Sequence, residues 1–367
     1  MASSKEVCIF LAGAACGAAT VSLLAVRSAD LTARGAATKR AMGHSMEAED
    51  SGRRNPDDLA RLFVSPALLR VSQLLLQTGL APPHLRYGSM TARTKFCDQV
   101  VLESVDAFGP NCQLVVLGAG FDSRSLRFKS QLESAHVVTF EVDRRIVLNA
   151  KRERLEAAKV KPNPLVRYVD FNFNTEPGEA SLISSLVAAG YRTDTKTLFL
   201  LEGVTYYLDP HVLDNLLMEL QAGSCPGSRL AFDYLFQSVL DGTCTAPAAK
   251  GWKASLARTG NDVRTGIDPE LLPVWAENRG MTIVKHIADD GDLRRQFLGV
   301  TADDADKLTR RCWDSLGIFG LILVQLKAPD AVDSKATGSE VKATQSTEQP
   351  PRSVEQLATP RTLGYSF

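Results

Sequence analysis

Short apolar runs alternate along the middle of this chain with stretches of helical spacing. Gln113–Leu117, His136–Val142, Leu165–Asp170, Thr197–Leu201 and Arg229–Tyr234 read as strands. Helical patterns at Ser123–Leu132, Arg144–Ala158, Glu179–Ala189 and Pro210–Gln221 separate them, and Pro269–Asn278, Thr282–Ile287 and Ile318–Leu326 continue the order. The runs are apolar throughout rather than at every second residue, the pattern of strands buried on both faces. Repeated strand–helix units of this kind predict an α/β fold, a mostly parallel sheet with helices on both sides.

In such sheets ligands bind beyond the carboxyl ends of the strands, near the point where strand order reverses. Those ends carry Gly118-Ala119-Gly120, then Glu141 and Asp143, then Asp170, then Glu202. Gly118 and Gly120 allow a sharp turn and a close approach of backbone to ligand. Glu141 and Asp143 lie about twenty residues further on, the spacing at which a carboxylate accepts from ribose hydroxyls. Each acid alone is more simply a structural residue; the row of them is the informative feature. A dinucleotide would call for G-x-G-x-x-G, yet Ser123 stands at the third glycine and Asp122 puts a negative charge where a pyrophosphate would lie. S-adenosylmethionine has no phosphate and carries a sulfonium and an ammonium, which an acid-lined pocket attracts.

LVVLGAGFDSRSLRF (114–128), FEVDRRIVLNAKRERL (140–155), YVDFN (168–172) and LLEGVTYYLDPHVLDNLL (200–217) together resemble the leucine carboxyl methyltransferase family of S-adenosylmethionine-dependent O-methyltransferases. RNPDDLARLFVSPAL (54–68) and RYGSMTARTKFCDQVV (86–101) fit the same family, and the resemblance spans about residues 32–327. It implies a Rossmann-like class I methyltransferase fold, a mostly parallel seven-stranded sheet with helices on both faces and an N-terminal helical cap. It also implies roles. Arg93 pairs with the carboxylate of the methionine moiety, with Arg40 a weaker second basic contact. Gly118 and Gly120 line the cofactor, Asp143 holds the ribose with Glu141 nearby, and Asp170 and Phe171 bracket the adenine. Glu202 stands at the ammonium end or the reacting centre, and Tyr206 and Tyr207 border the acceptor channel, which makes Glu202 and Tyr207 the candidate catalytic pair. The implied acceptor carries a carboxylate: the C-terminal leucine of the protein phosphatase 2A catalytic subunit, or a small-molecule acid. Phe236–Thr265 departs from the phosphatase-modifying members, and 265–287 looks more like bacterial small-molecule members.

The alternatives are an NAD-dependent oxidoreductase and a member that binds cofactor without transferring anything. A carboxylate acceptor is already ionised at neutral pH and needs no general base, which agrees with five scattered histidines and no Ser/His/Asp set. A hydroxyl acceptor would need one, with His84 or Glu202 as candidates. Basic and acidic residues balance at 42 each, so the chain lacks the charge of a general nucleic-acid binder. Seven cysteines without C-x-x-C or zinc spacing read as buried thiols in a reducing, cytoplasmic compartment, with no metal site expected.

Residues 8–26 carry no charge and are long enough to span a bilayer, with Arg27, Arg34, Lys39 and Arg40 following. They read as a membrane anchor, ahead of a cleaved targeting segment or a buried helix. Residues 328–367 are poor in large apolar side chains and read as a disordered tail. The expected organisation is therefore an apolar segment (1–30), a methyltransferase domain (31–327) and the tail.

Overall fold

The computed structural model describes residues 28–80, 87–174, 181–246, 249, 252, 262–299 and 317–327. The proposed anchor at 8–26 and the tail from 328 onward lie outside the described residues, as does His84. Among the described residues no helix is long and apolar enough to cross a membrane.

Seven strands form one sheet: β1 (Gln113–Leu117), β2 (Val138–Asp143), β3 (Val166–Asp170), β4 (Thr197–Leu201), β5 (Arg229–Leu235), β6 (Met281–Ile287) and β7 (Phe319–Leu326). Their order is β3-β2-β1-β4-β5-β7-β6. β1 pairs in parallel with β2 and β4, β2 with β3, and β4 with β5; β7 alone runs against its neighbours β5 and β6. This is the class I methyltransferase arrangement expected above. The order reverses at β1, so the switch point lies between the tips of β1 and β4. His136 is outside β2: its φ of 51° makes it a turn residue, which ends the preceding helix before the strand starts.

The uniformly apolar strands have the expected cause. Every residue of β1 and of β4 is buried. Val115, Leu117, Phe199 and Leu201 pack on one side with Leu213, Leu217 and Leu220. Leu114, Val116, Leu198 and Leu200 pack on the other with Phe96, Val100 and Phe297. The first side is covered by α7 (Leu182–Ala188), α8 (Pro210–Ala222) and α10 (Leu272–Glu277), the second by α3 (Gly88–Phe108) and α11 (Asp290–Leu298). Between these lie α4 (Arg124–Arg127), α5 (Lys129–Ser134), α6 (Arg145–Ala157) and α9 (Gln237–Asp241).

Before the sheet, α1 (Ser28–Ser45), a 3-10 turn at Asp58–Phe63 and α2 (Pro66–Gln77) form the N-terminal cap. Ser65 caps α2 by accepting from the Leu68 N–H at 3.2 Å, with Pro66 in the first helical position. Ala37, Ala41, Ala60 and Phe63 pack on Phe121 and Leu155, and the Phe63 and Phe121 rings stack at 5.0 Å. The cap thus sits over the turn that follows β1.

Under that turn, Glu141 of β2 accepts from Ser125 Oγ at 2.7 Å and from Lys151 Nζ of α6 at 2.6 Å. Both charged side chains are 1% exposed. Lys151→Met should leave a buried carboxylate unpaired and cost about 3–5 kcal/mol, read as a fall in the urea unfolding midpoint. A loss below about 1 kcal/mol would show that the pair does not tie α4 and α6 to the sheet.

Candidate active site

After Leu117 the chain turns through Gly118 (φ 68°) and Gly120 (φ 44°), in the left-handed region that favours glycine. A Cβ on Gly118 would lie 2.4 Å from Val204 Cγ2, so the β1 turn and the loop after β4 can meet only because no side chain is there. The Gly120 N–H donates to Asp143 Oδ2 at 2.7 Å, and the Arg144 N–H donates to Oδ1 at 2.7 Å. The Phe171 N–H donates to the Asp143 carbonyl at 3.1 Å. The tips of β1, β2 and β3 are therefore bonded to one another. Burial pushes the Asp143 carboxyl up from its ordinary value, and the two N–H donors offset part of that. Its oxygens keep lone pairs for a further donor.

Asp170, at the neighbouring tip, accepts from the Arg145 N–H and Nε, each at 2.8 Å, and is well exposed. Phe171 is buried, edge-on to Phe173 at 5.4 Å. Glu141 is placed differently from the sequence expectation. It lies within β2, under α4 and α6, with both oxygens engaged by Ser125 and Lys151.

Beyond β4, Glu202 is held between two arginines. Arg93 Nε of α3 donates to Oε1 at 2.9 Å, and Arg124 Nη1 lies 2.8 Å from Oε2. Burial alone would raise this carboxyl, but Arg124, Arg93 and Arg40 together outweigh it and hold Glu202 far below the usual carboxylate range. Arg93 Nη1 donates to Asp233 Oδ2 at 2.7 Å and lies 3.4 Å from the Tyr206 hydroxyl. Asp233 Oδ1 accepts from the Gly203 N–H at 2.6 Å. Burial raises the Asp233 carboxyl, partly countered by Arg93.

The ion pairs continue away from Glu202. Arg124 also meets Asp98 (2.7 Å) and Asp122; Arg127 meets Asp98 at 2.6 Å. The Ser123 hydroxyl donates to Asp57 Oδ1 at 2.6 Å, and Arg40 Nε to Asp57 Oδ2 at 2.7 Å. Arg40 is thereby anchored in the cap, with Nη2 also donating to the Phe121 carbonyl at 2.7 Å. Its neighbour Lys39 is only half-buried, and burial, then the repulsion of Arg93, pushes its ammonium down to about 8. Tyr206 and Tyr207 follow Glu202 on a 3-10 turn. Burial pushes the Tyr207 phenol up to about 12. The Tyr206 ring meets those of Tyr207 at 4.6 Å, Trp252 at 5.6 Å and Phe319 at 5.6 Å.

Gly118, Gly120, Asp143, Asp170, Glu202 and Arg93 thus share the carboxyl edge of the sheet. Sequence reading missed Asp233, Arg124 and Asp98, which the structure ties into one ion-pair network with Arg93 and Glu202. Asp233 had a signal: it is the acid near the end of the apolar run RLAFDY, as Asp143 and Asp170 are of theirs. Among the described residues no cluster of His, Cys, Asp or Glu is arranged to hold a metal ion.

The sequence signature of one protein family, leucine carboxyl methyltransferase, matches residues 33–221, just over half of the chain. The chain belongs to the leucine carboxyl methyltransferase family. A protein of Mycobacterium avium, named "Putative S-adenosyl-L-methionine-dependent methyltransferase", is 31% identical over 215 residues, covering 59% of this chain and 65% of its own length. One of Mycobacterium sp. strain KMS with the same name is 34% identical over 149 residues (41% and 45%). One of Bacillus subtilis, similarly named, is 26% identical over 235 residues (64% and 72%). The chain therefore spans from under half to somewhat over two thirds of the length of these family relatives.

The Gly118 turn yields a stability prediction. Gly118→Ala should cost about 1–3 kcal/mol from backbone strain, and more than Gly79→Ala. Gly79 has a similar φ of 73° but nothing within 4 Å of its absent Cβ. Equal losses in denaturant unfolding would mean that the contact with Val204 imposes no constraint.

Proposed function

We propose that the chain is an S-adenosylmethionine-dependent O-methyltransferase. The observation that carries this reading is the opposed polarity of one strand-tip edge. Asp143, bonded to the Gly120 N–H, stands on the β2 side, and Arg93, held by Glu202 and Asp233, stands by the β4 loop. A ligand with hydroxyls at one end and an amino-acid carboxylate at the other matches that order. In this reading Asp143 accepts from the ribose, Asp170 and Phe171 flank the adenine, and Gly118 and Gly120 let the backbone approach. Lys39, rather than the anchored Arg40, joins Arg93 at the carboxylate, and Glu202 faces the ammonium.

The alternative of a dinucleotide oxidoreductase is disfavoured. The Arg124 N–H at the start of α4 already donates to Asp122 Oδ1 at 2.7 Å, so that N–H is not free for a pyrophosphate. Ser123, where the third glycine would stand, is committed to Asp57.

A bound S-adenosylmethionine supplies an electrophilic methyl group. The protein's part is to align an acceptor oxygen with it and to exclude water, because opposite charges neutralise as the bond forms. Glu202, locked by two arginines, is unavailable as a base. Tyr207, neutral at pH 7, can donate its O–H but not accept a proton. Both facts favour an acceptor that is ionised already, a carboxylate. The aromatic group of Tyr206, Tyr207, Trp252 and Phe319 favours an acid with an apolar body. The test is transfer of labelled methyl to small apolar acids and, in parallel, to a peptide ending in the phosphatase's leucine. Base-labile label is expected in the acids; base-stable label would contradict ester formation, and label only in the peptide would reassign the acceptor.

The lysine gives a pH signature. Only the ammonium form attracts a carboxylate, and burial, then Arg93, pushes the Lys39 ammonium down to about 8. S-adenosylhomocysteine affinity should fall by up to about tenfold per pH unit above that point. Lys39→Arg should remove the fall, and Lys39→Met should weaken binding about 10- to 100-fold at pH 7. A pH-independent affinity in the wild type would remove Lys39 from the site. Arg93→Ala is a poorer probe, because it also leaves Glu202 and Asp233 buried without their shared partner.

We further propose a cytoplasmic catalytic domain held at a membrane through residues 8–26. Deletion of residues 1–30 should move the protein from the membrane fraction to the supernatant with S-adenosylhomocysteine binding intact. A full-length protein found in the supernatant would contradict this.

A further inference from the structure

Asp233 has no place in the roles above, yet it touches Arg93, Gly203 and Thr205. Its Oδ2 accepts from Arg93 Nη1 at 2.7 Å and its Oδ1 from the Gly203 N–H at 2.6 Å. Its carbonyl accepts from the Thr205 hydroxyl at 2.5 Å. One buried residue of β5 thus fixes the loop after β4 on both sides of Val204, and one corner of the Arg93 guanidinium. Glu202 fixes a second corner through Nε. The remaining nitrogen, Nη2, meets only the Met90 sulfur among the described residues, at 3.3 Å. A Cβ on Gly203 (φ 71°) would lie 3.2 Å from Nη2, so the missing side chain leaves room beside that nitrogen. A guanidinium held at Nε and Nη1 can no longer rotate, so the direction of its third nitrogen is set by the two carboxylates.

We propose that Asp233 is the positioning residue for Arg93, turning its Nη2 edge, which no carboxylate engages among the described residues, toward the carboxylate of the cofactor's amino-acid end. This rests on the methyltransferase reading and adds to it a residue that need not touch the cofactor. The Gly203 N–H bond extends the role, because the loop that carries Glu202 is set by the same carboxylate. Asparagine at 233 could still accept from Gly203, but its amide N–H₂ would oppose Arg93.

The test compares two ligands on the full chain. S-adenosylhomocysteine has the amino-acid end; 5′-methylthioadenosine lacks it and shares the rest. Asp233→Asn should weaken S-adenosylhomocysteine at least tenfold and change 5′-methylthioadenosine by less than twofold. In an Arg93→Ala background the same substitution should add no further loss. Unchanged S-adenosylhomocysteine affinity, or equal weakening of both ligands, would overturn the proposal. If the variant does not fold, a crystal structure of the wild type with S-adenosylhomocysteine decides. Nη2 is expected at the ligand carboxylate with Nη1 still on Asp233; a carboxylate bound without Nη2, or Nη1 withdrawn from Asp233, overturns it. Failure of the wild type to bind S-adenosylhomocysteine would instead remove the methyltransferase reading beneath it.

Discussion

The site depends on one guanidinium shared between two strand tips. Arg93 reaches from α3, on one face of the sheet, to Glu202 after β4 and Asp233 near the end of β5. Without it Asp233 would lose the ion pair it makes among the described residues, and Glu202 would keep only Arg124. The arrangement extends as alternating charges through Arg124, Asp98 and Arg127 to Asp57 and Arg40 in the N-terminal cap. Desolvating so many ions is costly, and their mutual attraction offsets that cost only while every partner is present. The network therefore makes helix α3, the cap and the strand tips mutually dependent, which is how a site assembled from distant segments keeps one geometry.

The other half of the edge is held by backbone rather than by ion pairs. Two left-handed glycines, the contact with Val204 and the Gly120 N–H bond to Asp143 bring three strand tips together. Polar groups at this end accept hydrogen bonds, while at the far end Arg93 presents a guanidinium held by Glu202 and Asp233. That asymmetry, more than any single residue, favours a cofactor with sugar hydroxyls at one end and a carboxylate at the other. It also fits an acceptor that brings its own negative charge, since Glu202 is engaged by two arginines.

The sheet was legible in the sequence because burial on both faces leaves continuous apolar runs, and the glycine turn because positive φ leaves glycine. The rotation of side chains about an element was not. Lys39 and Arg40 are adjacent in the sequence but about 100° apart around a helix. One can therefore face Asp57, as Arg40 does, while the other points elsewhere, and nothing local says which. Glu141 and Asp143 share a face of β2, but two residues place Glu141 about 6.6 Å further from the tip, beneath α4 and α6. Asp233 escaped notice because its importance lies in Arg93 and Gly203, far from it in sequence and adjacent only once β5 lies beside β4.

The central claim is that these tips accept an adenosyl amino acid and not a dinucleotide. Calorimetric titration of the full chain with S-adenosylhomocysteine, and separately with NADH, tests it most directly. The account predicts one-to-one binding of the former and no binding heat with the latter. Saturable binding of NADH with none of S-adenosylhomocysteine would contradict it.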